Sequence, residues 1–472
     1  MSARWCAPTL AARDPKHDAL SIFGLRARLG LQAREEMFRL PGHPPLRLFG
    51  PPKLRLRGYV TRLLLGSTAA LALGGASAVW AEPAPEHGWL ERPQLTGDWG
   101  GRRAALAERG IVPGARYTAG FWSNVRGGFQ TGTRYEGFAQ WWLEADLDAL
   151  AGWQGGSFDV NWYSYHGGQP SVDLVGAFST QTISGWEAAK SVRFYEILLR
   201  QTWGDGRFVF KAGQLAADTD FFVAENADAL LNGSFGFLGL GRGTEIAPFY
   251  PLAAPGAYFR ARTADARWEA HVGVYTADTG VDESSNFGFD WSFDNGGFFI
   301  GELRTRRSPF GRPGSYTLGA IGTTAELEDF ASGGTANVGY GLFASIDQCL
   351  IEQTHVRPGL GVFLRSYGGP QEERTLTRWY VDLGLKLTRP FRSRPEDLLS
   401  LGFAHLRFSD DYVASLRGGG ENVSRRESVL ELTYRFQVTG WLTLQPDIQF
   451  FFDPHLSRRD ATVIGLRAVV EL

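Results

Sequence analysis

Charged and amide side chains recur at every second residue along parts of this 472-residue chain, and their types limit what chemistry they could do. In the segment that begins at Tyr135, the side chains of Glu136, Gln140, Trp142 and Glu144 alternate with apolar ones. Carboxylates accept hydrogen bonds, guanidinium groups donate them, and an indole adds an apolar face. A set that mixes both signs suits a neutral polar molecule, whereas a ring of one sign would favour ions.

Acidic and basic residues stand close together in several other segments, and these supply the remaining candidates for a binding surface. They are Asn161, Glu196, Arg200, Arg260, Arg262, Glu302 and Arg304. Similar pairs occur at Arg267 and Glu269, at Arg378 and Asp382, and at Glu431 and Arg435. The chain contains no Gly-x-Ser-x-Gly, no His-Glu-x-x-His and no Cys/His cluster, and its eight histidines are scattered. We therefore predict no enzyme, no catalytic residue, no cofactor and no metal.

Strands must position these residues, because the pattern has a period of two. The segment from Tyr135 to Leu147 puts apolar residues on one face and carboxylates on the other. The same division recurs at 157–165, 378–387, 428–436, 442–450 and 464–472. Counting all such segments gives about sixteen strands of about ten residues, the size typical of an outer-membrane barrel. After Arg116 no amphipathic helix of useful length is predicted.

The connections between these strands are of two kinds. Tight turns are predicted at 204–206, 264–266 and 438–440, and long connections at 167–189, 215–256, 277–296 and 409–424. Such sorting is typical of a transmembrane barrel, whose sixteen strands close around an aqueous lumen with the apolar face outward. Trp122, Trp203, Trp379 and Trp441 are then predicted to form interfacial girdles. The alternative, a large soluble β-protein, would have to fill so wide a barrel with apolar side chains.

The N-terminal region is predicted to be removed on export. Residues 53–62 carry four basic residues and no acidic one, and an apolar run to Ala81 follows, which is typical of a signal peptide over 53–81. A membrane-spanning helix is the rival interpretation. Residues 1–52 are interpreted as a non-native or unstructured extension, residues 82–111 as an N-terminal segment, and residues 112–472 as the barrel. Processing leaves 36 basic against 46 acidic residues, which argues against nucleic-acid binding.

A short helix is predicted between the export signal and the first strand. Thr96 or Asp98 could cap its start, and Gly110 lies where a left-handed C-terminal cap is expected. About three turns of helix are marginal in water, so Leu95, Trp99 and Leu106 are expected to dock against something larger. At the periplasmic mouth of a barrel, Trp99 and Leu106 would lie against the wall.

Residues 95–103, Leu-Thr-Gly-Asp-Trp-Gly-Gly-Arg-Arg, resemble the N-terminal signature of the OprB-type carbohydrate-selective porins. Further similarity lies at Gly213-Gln214-Leu215, at Asp220-Phe221-Phe222, at residues 231–236 and at residues 250–256. The resemblance covers roughly residues 90–472. The chain departs from the usual outer-membrane pattern in ending in Leu472 rather than in an aromatic residue, which could weaken recognition by the barrel assembly machinery.

This resemblance implies a sixteen-stranded channel for the passive diffusion of glucose-like monosaccharides, located in the bacterial outer membrane. Its partners would be the carbohydrate, outer-membrane lipid, lipopolysaccharide and the assembly machinery, with a homotrimer as an open alternative to the monomer. The long connection from Leu215 to Gly256 would fold inward as a constriction loop, and an external lid is its alternative. The best constriction candidates are Glu136, Trp142, Glu196, Arg200, Arg260 and Glu302, and His271 and His405 are expected to line the lumen.

Two rival functions follow from the same residues. A general or small-anion porin would share the barrel but not the preference for sugars. A barrel-type outer-membrane hydrolase would require serine- or metal-dependent turnover, for which the sequence offers no residue set.

Overall fold

The computed structural model of the protein describes residues 88–178, 182–236, 247–278, 287–289 and 291–472. Sixteen antiparallel strands form a closed barrel in which each strand pairs with its neighbours in sequence and the first pairs with the last. They are β1 (Ile111–Arg126), β2 (Gly132–Asp146), β3 (Gly156–Gly167), β4 (Ser191–Trp203), β5 (Phe208–Leu215), β6 (Ala254–Arg262), β7 (Trp268–Thr276), β8 (Gly297–Arg307), β9 (Gly314–Glu328), β10 (Thr335–Ile351), β11 (Gly359–Gly368), β12 (Thr377–Thr388), β13 (Leu398–Phe408), β14 (Arg426–Gln437), β15 (Leu442–Phe452) and β16 (Ala461–Glu471). The sequence-based prediction of a transmembrane barrel of about sixteen strands is confirmed.

Helices are few and short. They are α1 (Arg102–Glu108), α2 (Leu147–Ala151) and α3 (Asp410–Gly418), with a π-helical turn at Ser171–Val175 and 3₁₀ turns at Ala217–Thr219, Gly233–Phe235 and Pro309–Gly311. Helix α3 was not predicted, although Ser409 caps it through a hydrogen bond from the Tyr412 N–H. In the part of the chain that the structure describes, no helix is long and apolar enough to cross a membrane.

Alternating side chains give the barrel an apolar outside and a polar inside. On β8, for example, Leu303 is half exposed, whereas its neighbours Glu302 and Arg304 are buried inside. Closing the sheet pairs every strand, which is required in lipid because an unpaired backbone group there costs several kcal/mol. The lipid therefore contacts the aliphatic face that the sequence pattern placed outward.

The two ends of the barrel differ in their connections. At one end lie the tight turns 204–207, 263–267 and 438–441, and at the other end lie the long connections 168–190, 216–253, 277–296 and 409–425. The predicted sorting of short and long connections is confirmed. By the usual rule for outer-membrane barrels, the short turns mark the periplasmic end and the long loops the external end.

Several aromatic, basic and histidine side chains lie elsewhere than predicted. Trp122 is completely buried inside the barrel, where its indole donates to the Glu136 carboxylate over 3.0 Å, so it does not belong to an interfacial girdle. Trp441 is covered by the N-terminal segment, with its ring 5.0 Å from that of Trp89. Arg267 lies exposed in a periplasmic turn. His405 faces outward, where it bonds Ser428 on the neighbouring strand.

The wall of the barrel is incomplete beside the external half of β4. Pairing between β4 and β5 begins only at Ile197, because the chain leaves β5 after Leu215 and turns inward. The loop between β7 and β8 replaces the missing partner: the Phe194 N–H donates to the Phe287 carbonyl over 2.8 Å, and Gln214 donates to the Gly288 carbonyl over 3.0 Å. Residues 287–288 therefore act as a short seal on the outer face.

The N-terminal segment docks on the periplasmic end of β16. The Leu95 N–H donates to the Glu471 carbonyl over 2.8 Å, and Arg103 donates to the Leu472 carbonyl over 3.0 Å. The predicted left-handed Gly110 is present, with φ of 82°. The N-cap position is Gly101, but the Asp98 carboxylate accepts from the Ala104 N–H in the first turn over 3.0 Å, so the predicted capping by Asp98 is present. One detail was wrong: Trp99 is exposed and lies against Arg103 rather than the wall.

Two predictions about the N-terminal region lie outside the described residues. These are the extension at 1–52 and the signal peptide at 53–81, which stay predictions. The predicted boundary between the N-terminal segment and the barrel at 111–112 lies at the start of β1.

Candidate functional site

The pairing register places all eleven sequence-predicted site residues on the inner face. Trp142, Asn161 and Glu196 stand side by side on β2, β3 and β4. On β6, β7 and β8, Arg260 lies opposite His271, which lies opposite Glu302. In the same way Arg262 lies opposite Glu269, which lies opposite Arg304. Because alternate residues of a strand share a face, the other candidates point inward with them. They are Glu136, Gln140, Glu144 and Arg200.

The constriction loop connects β5 to β6 over residues 216–253, and its described parts, residues 216–236 and 247–253, are folded inside the barrel rather than over it. Its backbone N–H groups donate to carboxylates on the inner wall: Ala216 to Glu196 over 3.2 Å, Phe222 to Glu302 over 3.0 Å, and Asn232 to Glu431 over 2.8 Å. A fourth anchor is Asp347, which accepts from Asn226. Carboxylates on β4, β8, β10 and β14 thus hold successive parts of the loop.

Two cations hold the carbonyl side of the same loop. Arg365 donates to the carbonyls of Phe235 and Gly236 over 2.7 and 2.8 Å, and it is completely buried against Asp382. Lys386 bonds the Asp228 carboxylate over 3.0 Å and the Glu225 carbonyl. A buried guanidinium that is paired and hydrogen-bonded in this way is strongly fixed in position.

A second loop connects β3 to β4 over residues 168–190, and we refer to it as the companion loop. Its described parts, residues 168–178 and 182–190, also enter the barrel. The Phe178 N–H donates to Glu427 over 2.9 Å, and Gln449 donates to the Ile183 carbonyl over 2.7 Å. The companion and constriction loops also bond each other, through Gly185 N–H to the Leu231 carbonyl and Gly233 N–H to the Thr182 carbonyl, both 2.8 Å. The two loops form one hydrogen-bonded body inside the barrel.

Six of the predicted site residues are buried by these loops and by their neighbours. Glu196 and Glu302 hold the constriction loop, and Glu136 bonds Trp122. The carboxylates of the constriction candidates Glu136, Glu196 and Glu302 therefore face inward as predicted, but they already bond protein donors. The buried six are Glu136, Gln140, Asn161, Glu196, Glu302 and Arg304.

The other five predicted residues keep part of their surface accessible on the inner wall. They are Trp142, Glu144, Arg200, Arg260 and Arg262. The Arg200 side chain is 40% exposed although it pairs with Asp159 over 3.0 Å, so it can still reach a passing molecule. This stretch, on β2–β6 near the periplasmic ends of the strands, offers donors, acceptors and an indole face together. We call these five residues with Asp159 the open wall.

Sequence reasoning missed three residues that shape the site. Lys211 pairs with Asp220 of the constriction loop over 2.8 Å, and Arg365 and Asp347 anchor that loop. Strict alternation would have found Arg365, which shares its face with Phe363 and Tyr367 on β11. Its role as an anchor was not visible, because its partners lie about 130 positions away.

Asp218 makes the constriction loop sensitive to pH. Burial raises the pKa of its carboxyl to about 8, although the Tyr250 N–H and the Tyr195 hydroxyl donate to it. Because the folded pKa lies above the ordinary value of 3.8, the closed loop is most stable below that value and loses stability as the pH rises through about 8. We expect the conductance to rise between about pH 4 and about pH 8, the interval between the ordinary and the raised pKa of Asp218.

The matched variant is Asp218→Asn, which is neutral at every pH and keeps an acceptor oxygen. In single-channel recordings, the conductance of this variant should change less over this pH range than the conductance of the wild-type protein. A wild-type conductance that is flat with pH, or an unchanged pH dependence in the variant, would contradict the assignment.

The closed barrel, its apolar outer face, its charged inner wall and its inward-folded loops define a porin. Within the described residues no group of three or more His, Cys, Asp or Glu side chains could hold a metal ion.

Comparison with known proteins gives the family. Residues 130–472 match the model of the carbohydrate-selective porins, OprB family. The chain is 25% identical to QuiX of Acinetobacter baylyi, which is named as a porin, over 80% of this chain and 92% of that protein. It is also 25% identical to Porin B of Pseudomonas aeruginosa, over 76% and 87%. The fold matches the high-pH structure of Pseudomonas putida OprB with a TM-score of 0.73 and 23% identity, over 82% of this chain and all of that one.

The chain belongs to the OprB family of carbohydrate-selective porins. It is a channel of the bacterial outer membrane through which carbohydrates pass. The family predicted from residues 95–103 and from the central motifs is thereby confirmed.

Proposed function

We propose that this channel passes glucose-like monosaccharides by passive diffusion along the open wall, between Arg200 and Asp159 on one side and the constriction loop on the other. The observation that carries the proposal is the partial exposure of the Arg200–Asp159 ion pair, in a barrel where the inner carboxylates of Glu196, Glu302 and Glu431 are occupied by loop N–H groups. The Arg200 donor and the Asp159 acceptor lie 3.0 Å apart, which is about the distance between two neighbouring hydroxyl groups of a sugar.

The chemistry suits a neutral polyol. Sugar hydroxyls both donate and accept, so an ion pair can bond two of them at once, and the indole of Trp142 can contact the apolar C–H face of the ring. The pore must also release the sugar, and exposed groups shared with water bind weakly enough for that. Selectivity then arises from matching hydrogen bonds rather than from tight binding.

Arg200→Ala should reduce selectivity without closing the pore. Proteoliposomes that carry the wild-type protein should admit glucose faster than a zwitterion of equal size. In the variant the ratio of the two uptake rates should fall about threefold, the effect of losing one or two weak hydrogen bonds to the sugar. Swelling rates measured with glucose and with the zwitterion test this directly. Trp203→Ala is the control, because Trp203 ends the same strand but is exposed on the outer face.

Glu136→Ala is expected to behave differently from Arg200→Ala. Because the Glu136 carboxylate is buried and bonds Trp122, its loss should lower stability more than it changes selectivity. Equal uptake of all solutes of one size by the wild-type protein would reduce the proposal to a general porin.

A reversal potential strongly favouring anions would instead support the small-anion alternative. We further propose that the channel has no enzymatic activity. The interactions with lipopolysaccharide and with the assembly machinery, and association into homotrimers, are predictions taken from the family resemblance.

A further inference from the structure

Two guanidinium groups on the inner face of β6 differ from the cations on the neighbouring strands β4, β5 and β8. Among the described residues, Arg200 pairs with Asp159, Lys211 with Asp220, and Arg304 with Glu302. Arg260 and Arg262 have no carboxylate within ion-pair distance in the described part of the chain. Both side chains keep part of their surface accessible.

The positions of Arg260 and Arg262 place their charges next to each other. They lie two residues apart on β6, so they share the inner face and their Cα atoms are about 7 Å apart. Arg260 donates one terminal N–H to the Gly206 carbonyl over 2.9 Å. Among the described residues this is the one side-chain hydrogen bond of Arg260, and Arg262 makes none. The Nε atoms of both residues are buried, so their terminal N–H groups are the donors that a solute can reach. Donors of both side chains are thus left over at the periplasmic end of the open wall.

Unused guanidinium donors of this kind fit a carboxylate. The planar fork of an arginine matches the two carboxylate oxygens, and a pair of arginines can share one such group. A monovalent anion suits the site better than a dianion, because Glu269 faces Arg262 in the register and Asp159 lies on the same wall.

We propose that the channel also conducts sugar acids, monosaccharides that carry one carboxylate, and that Arg260 and Arg262 bind the carboxylate while Arg200 and Asp159 bind the hydroxyls. This inference rests on the proposed function, since it assumes a path for sugars along the open wall. It adds a second, charged class of substrate to the neutral one. Neither a neutral-sugar pore nor a simple anion pore needs both halves of this site.

Uptake of radiolabelled gluconate and glucose into proteoliposomes tests the proposal. In Arg260→Gln/Arg262→Gln, gluconate uptake should fall about fifteenfold, the effect of two unit charges about 5 Å from the solute across water. Glucose uptake should fall far less, because glutamine keeps hydrogen-bonding groups for the sugar hydroxyls. The double variant Arg260→Lys/Arg262→Lys should recover part of the loss, since it keeps the charge but not the planar fork.

Arg307→Gln is the matched control. Arg307 ends β8 at the same rim, but its side chain faces outward over the ring of Trp268, 5.2 Å from the guanidinium carbon to the centroid. Its loss should leave gluconate uptake unchanged.

Three results would overturn the proposal. The first is gluconate uptake that is unaffected by Arg260→Gln/Arg262→Gln. The second is a fall in glucose uptake as large as the fall in gluconate uptake, and the third is a fall in acetate uptake as large as the fall in gluconate uptake. The third result would show that the two arginines act on any anion. These outcomes are separate from failure of the proposed function, which is a wild-type channel that does not prefer glucose over zwitterions of equal size.

Discussion

Arg365→Ala should open the pore. The substitution removes the hydrogen bonds of Arg365 to the carbonyls of Phe235 and Gly236, and two longer ones to the carbonyls of Phe222 and Ser234. It also leaves Asp382 buried without its ion-pair partner, a loss of about 3–5 kcal/mol in comparable buried pairs. The loop should then leave the inner wall near β11 and β12, while the strands keep their backbone hydrogen bonds. Single-channel conductance in planar bilayers should rise about twofold or more, because a wider path carries more ions.

The same variant should also lose its discrimination by size. Proteoliposomes should admit a trisaccharide at a rate closer to that of glucose. Arg378→Ala is the control, because this substitution removes the same charge from the external end of β12. There Arg378 pairs with Glu372 and Asp410. Wild-type conductance in Arg365→Ala, with unchanged protection of residues 222–236 in hydrogen exchange, would show that Arg365 does not hold the loop.

Removing residues 88–110 should weaken the barrel without changing what it conducts. The segment contributes the bonds of Leu95 and Arg103 to the last residues of the chain, and Trp441 donates to the Trp89 carbonyl over 3.0 Å. At about 1 kcal/mol for each hydrogen bond, the heat-induced unfolding temperature should fall by about 5 °C. The preference for glucose over zwitterions should be unchanged, since the segment lies outside the lumen.

A point substitution tests the same docking in the full chain. A Cβ atom on Gly440 would lie 2.4 Å from the Arg92 carbonyl oxygen, so Gly440→Val should displace the segment and lower the unfolding temperature to a similar extent. Arg109→Ala, which changes an exposed residue after α1, should leave it unchanged. Normal unfolding temperatures together with altered sugar preference would mean that the segment belongs to the pore.

The period of two predicted the faces of the strands well, because it depends only on local geometry. Glu302 and Arg260 were both placed inside for this reason, and the register confirms it. That Glu302 is covered while Arg260 stays partly exposed could not be predicted from the sequence. Glu302 is covered by the constriction loop, in which the N–H group that it accepts from belongs to Phe222, 80 positions earlier in the chain. Whether an inner residue contacts solute or loop is decided by such long-range folding.

Residue type proved a weaker guide than position. Trp122 was assigned to a membrane girdle because tryptophan favours interfaces, yet its even number on β1 puts it inside with Thr118 and Asn124. Arg365 was overlooked although it stands between Phe363 and Tyr367 on the inner face of β11. For both residues, the alternation of inner and outer positions along the strand predicts the face correctly, whereas the residue type does not.

The hydrogen bonds between the constriction and companion loops bear on how sugar preference could be transplanted between relatives. Gly185 and Gly233 each donate to the other loop, and the Tyr250 hydroxyl donates to the Trp186 carbonyl over 3.0 Å. In a chimaera that receives only one of the two loops from a relative, the backbone of that loop would not match the other loop, and the hydrogen bonds between them would be lost. Segments 168–190 and 216–253 therefore form the smallest cassette that can be exchanged, and their insertions and deletions should be inherited together.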